Sequence, residues 1–234
     1  MSEQPSPISP RATLDRDLAE VQTQVLEIGD LVLQAVDRAL EALRQHDQKG
    51  ASAVIAADAE INERRFKVEE RCLSLIATQQ PAAGDLRAIV AAIHMVSDLE
   101  RMGDHAVGIA KAVVRGEEDP PLELPPDFEA LAKKVRDMFA LAMKAYREKD
   151  VAKARSVAAL DDPIDEDYKR LFQDLLGMMA ENPEMSGAGV RLQFASHNLE
   201  RIADRATNLA ERVIFQTSGE MQELNPEPDE ADIH

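Results

Sequence analysis

The sequence predicts an all-α protein, built as a tandem duplication of two three-helix bundles with six long helices. Composition is the first reason, because aromatic residues make up only 3% of the chain and Trp is absent, which favours helices over strands. Apolar residues also recur at steps of three and four along most of the chain. Finally, the segment that begins at Leu99 is repeated one hundred residues later at Leu199.

The first half of the chain has room for three long helices. Apolar residues alternate at steps of four and three from Leu14 to Ala39, which is the seam of a helix that packs against neighbours. The polar stretch RQHDQKG ends that helix. A second helix is expected from about 51 to 78 and a third from about 86 to 115. The breaker QQPAAGD separates them and offers Asp85 as an N-cap.

The second half repeats this organisation after a strong breaker, GEEDPPLELPP, at the midpoint of the chain. Four prolines in eleven residues cannot continue a helix. The next three helices are expected at about 127–149, 150–180 and 187–217. The predicted organisation is a flexible tail at 1–11, a first bundle at 12–116, a linker at 117–126, a second bundle at 127–218 and a flexible acidic tail at 219–234.

Two pairs of matching segments indicate the duplication. LERMGDHAVGIAK at 99–111 matches LERIADRATNLAE at 199–211, and DAEINE at 58–63 matches DDPIDE at 161–166. The separation is 100 residues for the first pair and 103 for the second, a difference that a three-residue change in a loop explains. A repeat that covers two of three helices indicates a tandem duplication.

An apolar stripe runs along the third helix of each half and is expected to be core. All fourteen of its positions are apolar. They are Ala92, Met95, Leu99, Met102, Ala106, Ile109 and Val113 in the first half and Leu192, Ala195, Leu199, Ile202, Ala206, Leu209 and Val213 in the second. The single cysteine, Cys72, is likewise expected to be a small core residue.

Packing does not explain the carboxylates beside this stripe. Glu100 and Asp104 lie four residues apart, as do Glu200 and Asp204, and like charges at this spacing repel each other on a helix. Two readings remain open from spacing alone. The pairs belong to a solvated face of an acidic protein, or they are metal ligands. An all-oxygen set favours hard ions such as Mg²⁺, Mn²⁺ or ferric iron over a structural zinc.

The second helix of each half offers further oxygen ligands at the same spacing of four residues. These are Asp58 and Asn62 in the first half and Asp161 and Asp165 in the second. The glutamates at 63 and 166 also belong to the repeated segment. A cation shared between the second and third helices would relieve the repulsion within each acidic pair.

Several other functions are disfavoured. The net charge of −17 argues against a nucleic-acid partner, which needs a basic patch. No histidine has a Glu three positions before it, as a ferritin-like di-iron centre requires, and no phosphate loop or hydrolase motif is present. His105 as a phosphoacceptor is disfavoured because the second copy has Arg205. No apolar run approaches the ~20 residues of a membrane span, and the N-terminus does not read as a signal peptide.

The repeated segments resemble the duplicated acidic motifs of the PhoU family of phosphate-transport accessory proteins. The resemblance covers roughly 14–217. It implies a cytoplasmic, all-helical, non-enzymatic and often dimeric protein that meets the inner face of the membrane only through protein partners. It further implies a negative regulator of phosphate uptake and of the phosphate-starvation response. Its partners would be the phosphate ABC transporter and the sensor histidine kinase.

The resemblance also implies bound metal ions, such as iron, zinc, manganese or magnesium, on the acidic motifs of each bundle. Carried over by position, the ligands are Glu100, Asp104, Asp58 and Asn62 in the first half and Glu200, Asp204, Asp161 and Asp165 in the second. Asn208 would extend the second site. Gly108 and His105 stand where the second copy has Asn208 and Arg205, which predicts two sites that are unequally filled. The alternatives are an enzyme with a carboxylate-bound metal cluster and a purely structural adaptor.

Overall fold

The computed structural model describes residues 9–116 and 123–224. Within these ranges the chain forms helices and no strand, which confirms the all-α prediction. The helices are α1 (Pro10–Gln45), α2 (Gln48–Gln79), α3 (Ala83–Val114), α4 (Pro126–Glu148), α5 (Val151–Ala158), α6 (Asp161–Glu181) and α7 (Ser186–Ser218), with a 3₁₀ helix at Pro183–Met185 before α7. No helix in the described ranges is long and apolar enough to cross a membrane.

The first helix begins earlier than the apolar seam predicts. Its N-cap is Ser9, whose Oγ accepts a hydrogen bond from the Ala12 N–H at 3.2 Å, and Pro10 occupies the first helical position. Proline suits this position because the missing N–H has no partner in the helix anyway. Residues 1–8 of the predicted N-terminal tail, 117–122 of the predicted linker and 225–234 of the predicted C-terminal tail lie outside the described residues.

The turn between the first and second helices is repeated in the second half. His46 adopts a left-handed conformation at the end of α1, and Asp47 caps α2 by accepting the Lys49 N–H. Lys149 and Asp150 do the same between α4 and α5. The duplication therefore extends to the turn chemistry and reaches beyond the two motifs that reveal it in the sequence.

The second helix of the second half is divided, whereas the sequence predicts one helix over 150–180. The chain turns at Ala159 and Leu160 between α5 and α6. The reason is Pro163, which has no N–H to donate and whose ring clashes with the carbonyl four residues earlier in a continuous helix. The first turn of a new helix tolerates this proline, so α6 begins at Asp161.

The third helix of each half lies at the centre of the molecule. α3 packs against α1, α2 and α7, and α7 packs against α3 and the remaining helices of the second half. All fourteen stripe residues are buried, as predicted. The core is continuous across both halves, and α1 also contacts α4, where Arg44 pairs with Glu129 at 2.7 Å.

A polar seam joins α3 and α7, which run antiparallel. His105 Nδ1 on α3 lies 3.1 Å from Asn198 Oδ1 on α7. At the other end of the seam, Asn208 Nδ2 donates to Asp98 Oδ1 at 3.4 Å and Arg205 lies 3.5 Å from the same oxygen. These pairs are related by the internal repeat, because 98 and 198 are equivalent positions, as are 105 and 205.

Candidate metal centre

The first acidic cluster lies between α2 and α3. Gly103 on α3 faces Ile61 and Asp58 of α2, since a Cβ atom there would lie 3.2 Å from Ile61 Cδ1 and 3.4 Å from Asp58 Oδ1. Asn62 Nδ2 donates to Asp58 Oδ2 at 3.1 Å. Among the described residues, Asp58 Oδ1 is buried and has no hydrogen-bond partner.

Burial and mutual repulsion raise pKa values in this cluster. Burial raises the pKa of Asp58, the charge of Asp104 adds to the rise, and Lys111 opposes it. Burial also raises the pKa of Glu100, again with a contribution from Asp104. The Arg65 Nε lies 3.9 Å from Glu100 Oε1 and partly offsets this charge. The cluster therefore holds carboxylates that gain from a nearby cation.

The second cluster lies between α6 and α7 and is the more concentrated of the two. One carboxylate oxygen from each of Asp161, Asp165 and Asp204 lies within 4.8 Å of the others. Asp161 is 8% exposed, although it is an acid. Among the described residues of the first half, no three carboxylate, His or Cys groups come equally close. Asn62 there replaces the acid found at Asp165.

The pKa of Glu200 in this cluster is raised well above its ordinary value. Burial, followed by the charge of Asp204, raises its pKa to about 7, and Arg201 opposes the rise. Arg201 Nε lies 3.2 Å from Glu200 Oε2 and its Nη1 lies 3.0 Å from Asp204 Oδ2. Burial also raises the pKa of Asp204. The arginine side chain is 46% exposed, so part of it lies in solvent.

The second cluster opens into a cleft of about 980 Å³. Its wall includes the segment after α7, which turns at Gly219 with a φ of 82° and places Met221 and Glu223 on the cleft. Leu224 N–H donates to Glu211 Oε1 at 2.9 Å. This contact fixes the chain segment 219–224 against α7, within the predicted C-terminal tail.

Helix packing brings eight of the nine predicted ligands together in two groups. In the first, Asp58 interacts with Glu100 and Asp104 and accepts a hydrogen bond from Asn62. In the second, the charges of 161 and 165 act on Glu200, and the oxygens of 161, 165 and 204 converge. The ninth, Asn208, lines the second cleft, but its amide donates across the seam to Asp98. The sequence differences at Gly108 and His105 also lie on the seam, since a Cβ at Gly108 would be 2.4 Å from Asn198 Oδ1. Gly108 and His105 therefore contact α7 across the seam between the two bundles.

Sequence reasoning missed several residues of the second site. Glu211 and Glu223 line the cleft, and His197 Nδ1 lies 3.7 Å from Glu200 Oε2. Glu211 could have been predicted from the sequence, because it ends the repeated motif and introduces an acid where the first copy has Lys111. The position of Glu223 depends on the turn at Gly219, for which the repeat offers no counterpart.

Comparison with known proteins shows the family to which the chain is related. A family model described as the PhoU domain matches residues 25–113 and 128–213. The chain belongs to the PhoU family. It is 35% identical over 216 residues to the phosphate-specific transport system accessory protein PhoU homolog of Clostridium acetobutylicum, which covers 92% of this chain and 99% of that protein. Identity to the PhoU homolog of Streptococcus pneumoniae is 36% over 218 residues, 92% of this chain and 100% of that protein.

Solved structures of the PhoU family share the fold. The crystal structure of the phosphate transport system regulatory protein PhoU from Streptococcus pneumoniae matches with a TM-score of 0.83 and 33% identity, covering 89% of this chain and 99% of that one. The crystal structure of PhoU from Pseudomonas aeruginosa matches with a TM-score of 0.84 and 33% identity, over 88% and 99% of the two chains.

The residues of both clusters fit a cation of the kind that the PhoU resemblance implies. The donors are carboxylate and amide oxygens, which suit hard ions. Asp58 Oδ1 is a buried acceptor without a hydrogen bond from the described residues, and a bound ion would satisfy it. In the second cluster, the oxygens of Asp161, Asp165 and Asp204 lie close enough together to share one ion.

Proposed function

We propose that this protein is an accessory regulator of a phosphate-specific transport system. It lowers phosphate uptake and the phosphate-starvation response when phosphate is plentiful. It acts in the cytoplasm without catalysis and reaches the membrane through protein partners, namely subunits of the phosphate ABC transporter and the sensor histidine kinase. The observation that carries the proposal is the pair of acidic clusters at equivalent positions of two bundles, in a chain of the PhoU family.

The proposed role of a metal ion is structural. An ion held by Asp58, Glu100 and Asp104 in the first bundle, or by Asp161, Asp165 and Asp204 in the second, would link the second and third helices of that bundle. It would neutralise carboxylates that otherwise repel one another. Asn62 and Glu200 are neighbouring ligands. The acidic outer face of each bundle would then be fixed for docking on a partner.

The regulatory role is tested in cells of the native host that lack the gene. We expect phosphate-replete deletion cells to take up radiolabelled phosphate faster than wild-type cells and to express a phosphate-starvation reporter. Expression of the wild-type protein should restore both values. Unchanged uptake and unchanged reporter expression in the deletion strain would contradict the proposal. Affinity purification from phosphate-replete cells should recover transporter or kinase subunits, and recovery of neither would contradict the assigned partners.

The metal role is tested on the purified protein. Elemental analysis of protein prepared without chelator should find a di- or trivalent metal. We expect that metal to be lost in a variant that combines Glu100→Gln, Asp104→Asn, Glu200→Gln and Asp204→Asn. Wild-type protein should also melt at a higher temperature with metal than with chelator, because a ligand that binds only the folded state stabilises it. Unchanged metal content in the variant would refute the assignment. The homodimer implied by the resemblance stays a prediction, which light scattering tests.

A further inference from the structure

The two acidic clusters differ in charge at several equivalent positions of the repeat. At three of them the first bundle carries the less negative residue. The pairs, with the first bundle named first, are Asn62 and Asp165, Arg65 and Tyr168, and Lys111 and Glu211. These three replacements add four negative charges to the second bundle at neutral pH, and two are offset by Arg205 and Arg212, which stand where the first bundle has His105 and Ala112.

The basic residues of the first bundle act directly on its cluster. Arg65 Nε lies 3.9 Å from Glu100 Oε1, and the charge of Lys111 acts on Asp58. A cation that enters this cluster meets two positive charges that are already in place. Their repulsion opposes binding at a range of several ångströms, and most strongly at low ionic strength.

The second cluster has Tyr168 and Glu211 in place of Arg65 and Lys111, and its own Arg201 pairs with Glu200 and Asp204. Tyr168 is uncharged and packs against the His197 ring, with 6.3 Å between ring centroids. Glu211 lines the cleft, together with Glu223 from the segment after α7. Seven acids and two arginines line the cleft; they are Asp161, Asp162, Asp165, Glu200, Asp204, Glu211 and Glu223, with Arg201 and Arg212.

Glu211 has a second effect that Lys111 cannot reproduce. Its carboxylate accepts the Leu224 N–H at 2.9 Å, which holds segment 219–224 on the wall of the cleft and keeps Glu223 there. A lysine at this position has no oxygen to accept the N–H. Glu211 is therefore a positioning residue for the segment as well as a source of negative charge.

We infer that the second cluster is the tighter of two unequal cation sites, and that the residues at positions 62, 65 and 111, with their counterparts at 165, 168 and 211, set this order. The inference rests on the proposed metal binding. One unit of charge several ångströms from a bound divalent ion changes its Kd by about two- to fourfold at low salt. The net excess of negative charge at the second cluster therefore predicts a Kd lower by about tenfold, a difference that narrows as salt is added.

The experiment measures Mn²⁺ binding to metal-free protein by the electron paramagnetic resonance signal of free Mn²⁺. One variant retains only the second cluster and carries Asp58→Asn, Glu100→Gln and Asp104→Asn. Another retains only the first cluster and carries Asp161→Asn, Asp165→Asn and Asp204→Asn. Circular dichroism confirms that each is folded. We expect the protein that retains the second cluster to bind Mn²⁺ about tenfold more tightly at low salt.

Charge exchange at one position tests the cause. Lys111→Glu should tighten binding several-fold in the protein that retains the first cluster. Lys144→Glu makes the same charge change on an exposed position of α4 and should have little effect. Glu211→Lys should weaken the second cluster. Glu211→Gln, which keeps an acceptor for Leu224, should weaken it less.

The outcomes separate this inference from the proposed function. Equal affinities, or tighter binding by the first cluster, would overturn the order while leaving metal binding intact. An effect of Lys111→Glu no larger than that of Lys144→Glu would overturn its cause. If the wild-type protein bound no Mn²⁺ or other hard ion at either cluster, the metal role in the proposed function would itself be wrong.

Discussion

Glu200 predicts an unusual result, in which removing a charge stabilises the metal-free protein. The Glu200 side chain is 14% exposed and lies among other acids, which raises its pKa from the ordinary 4.5 to about 7, mainly through burial and then through Asp204. The unfolded chain ionises this group at lower pH than the folded protein does. Ionisation therefore destabilises the folded state, and the cost grows as the pH rises from 4.5 towards 7.

The magnitude follows from the two pKa values. Each pKa unit corresponds to about 1.4 kcal/mol, so ionised Glu200 costs the folded protein up to about 3 kcal/mol at pH 8 and under about 1 kcal/mol at pH 5. Glu200→Gln keeps the shape and removes the charge. It should raise the free energy of unfolding at pH 8 by about 1–3 kcal/mol, which for a chain of this size is a rise in Tm of several degrees.

The assay is thermal melting followed by circular dichroism at 222 nm, at pH 5 and pH 8, with EDTA and with Mn²⁺. Glu100→Gln, in the first cluster, is the matched control and should give a smaller gain because its side chain is more exposed, at 20%. With saturating Mn²⁺ the gain of Glu200→Gln should disappear or reverse, because the ion neutralises the carboxylates. A lower Tm for Glu200→Gln at pH 8 in EDTA, or an equal gain at both pH values, would refute this reasoning.

Three further results are expected. Gly108→Ala should lower the free energy of unfolding by about 1–3 kcal/mol, because the new Cβ would lie 2.4 Å from Asn198 Oδ1. Gly177→Ala is the control, since nothing lies within 4 Å of its Cβ, and it should raise that free energy by about 0.5–1 kcal/mol. Thermal melting compares the two variants, and similar effects would contradict the seam contact. Cys72 is fully buried and burial raises its thiol pKa to about 11, so a thiol reagent should label it only in denaturant; rapid labelling of the folded protein would count against its burial. Arg44→Ala breaks an ion pair with Glu129 at a half-exposed site and should cost no more than about 1 kcal/mol by urea titration, a cost that falls with salt.

Local patterns in the sequence predict most of the fold. The stripe from Ala92 to Val113 and its copy are buried because a spacing of three and four places apolar residues on one side of a helix. The start of α1 could also be predicted, because Ser9 followed by Pro10 is a helix-start signal, although it lies outside the apolar seam. The break before Asp161 has a local cause in Pro163, but periodicity alone does not reveal it, because the apolar pattern continues through it.

The sequence predicts most residues of the candidate site but not how closely their oxygens approach one another. Spacing places Glu200 above Asp204, and the repeat links both to Asp161 and Asp165, but the convergence of their oxygens depends on how α6 packs against α7. The polar seam between α3 and α7 could not be predicted from the sequence, because Asp98 and Asn208 are 110 residues apart in the chain. No pattern within one helix indicates which residue of a distant helix will face it.

The seam also limits how far the two halves are interchangeable. A chain built from two second repeats would place the amide of Asn208 where Gly108 now makes room for Asn198. A chain built from two first repeats would leave Asp98 facing a glycine and a histidine in place of Asn208 and Arg205. Each half is therefore complementary to the other and not to a copy of itself, as in the interface between two different subunits.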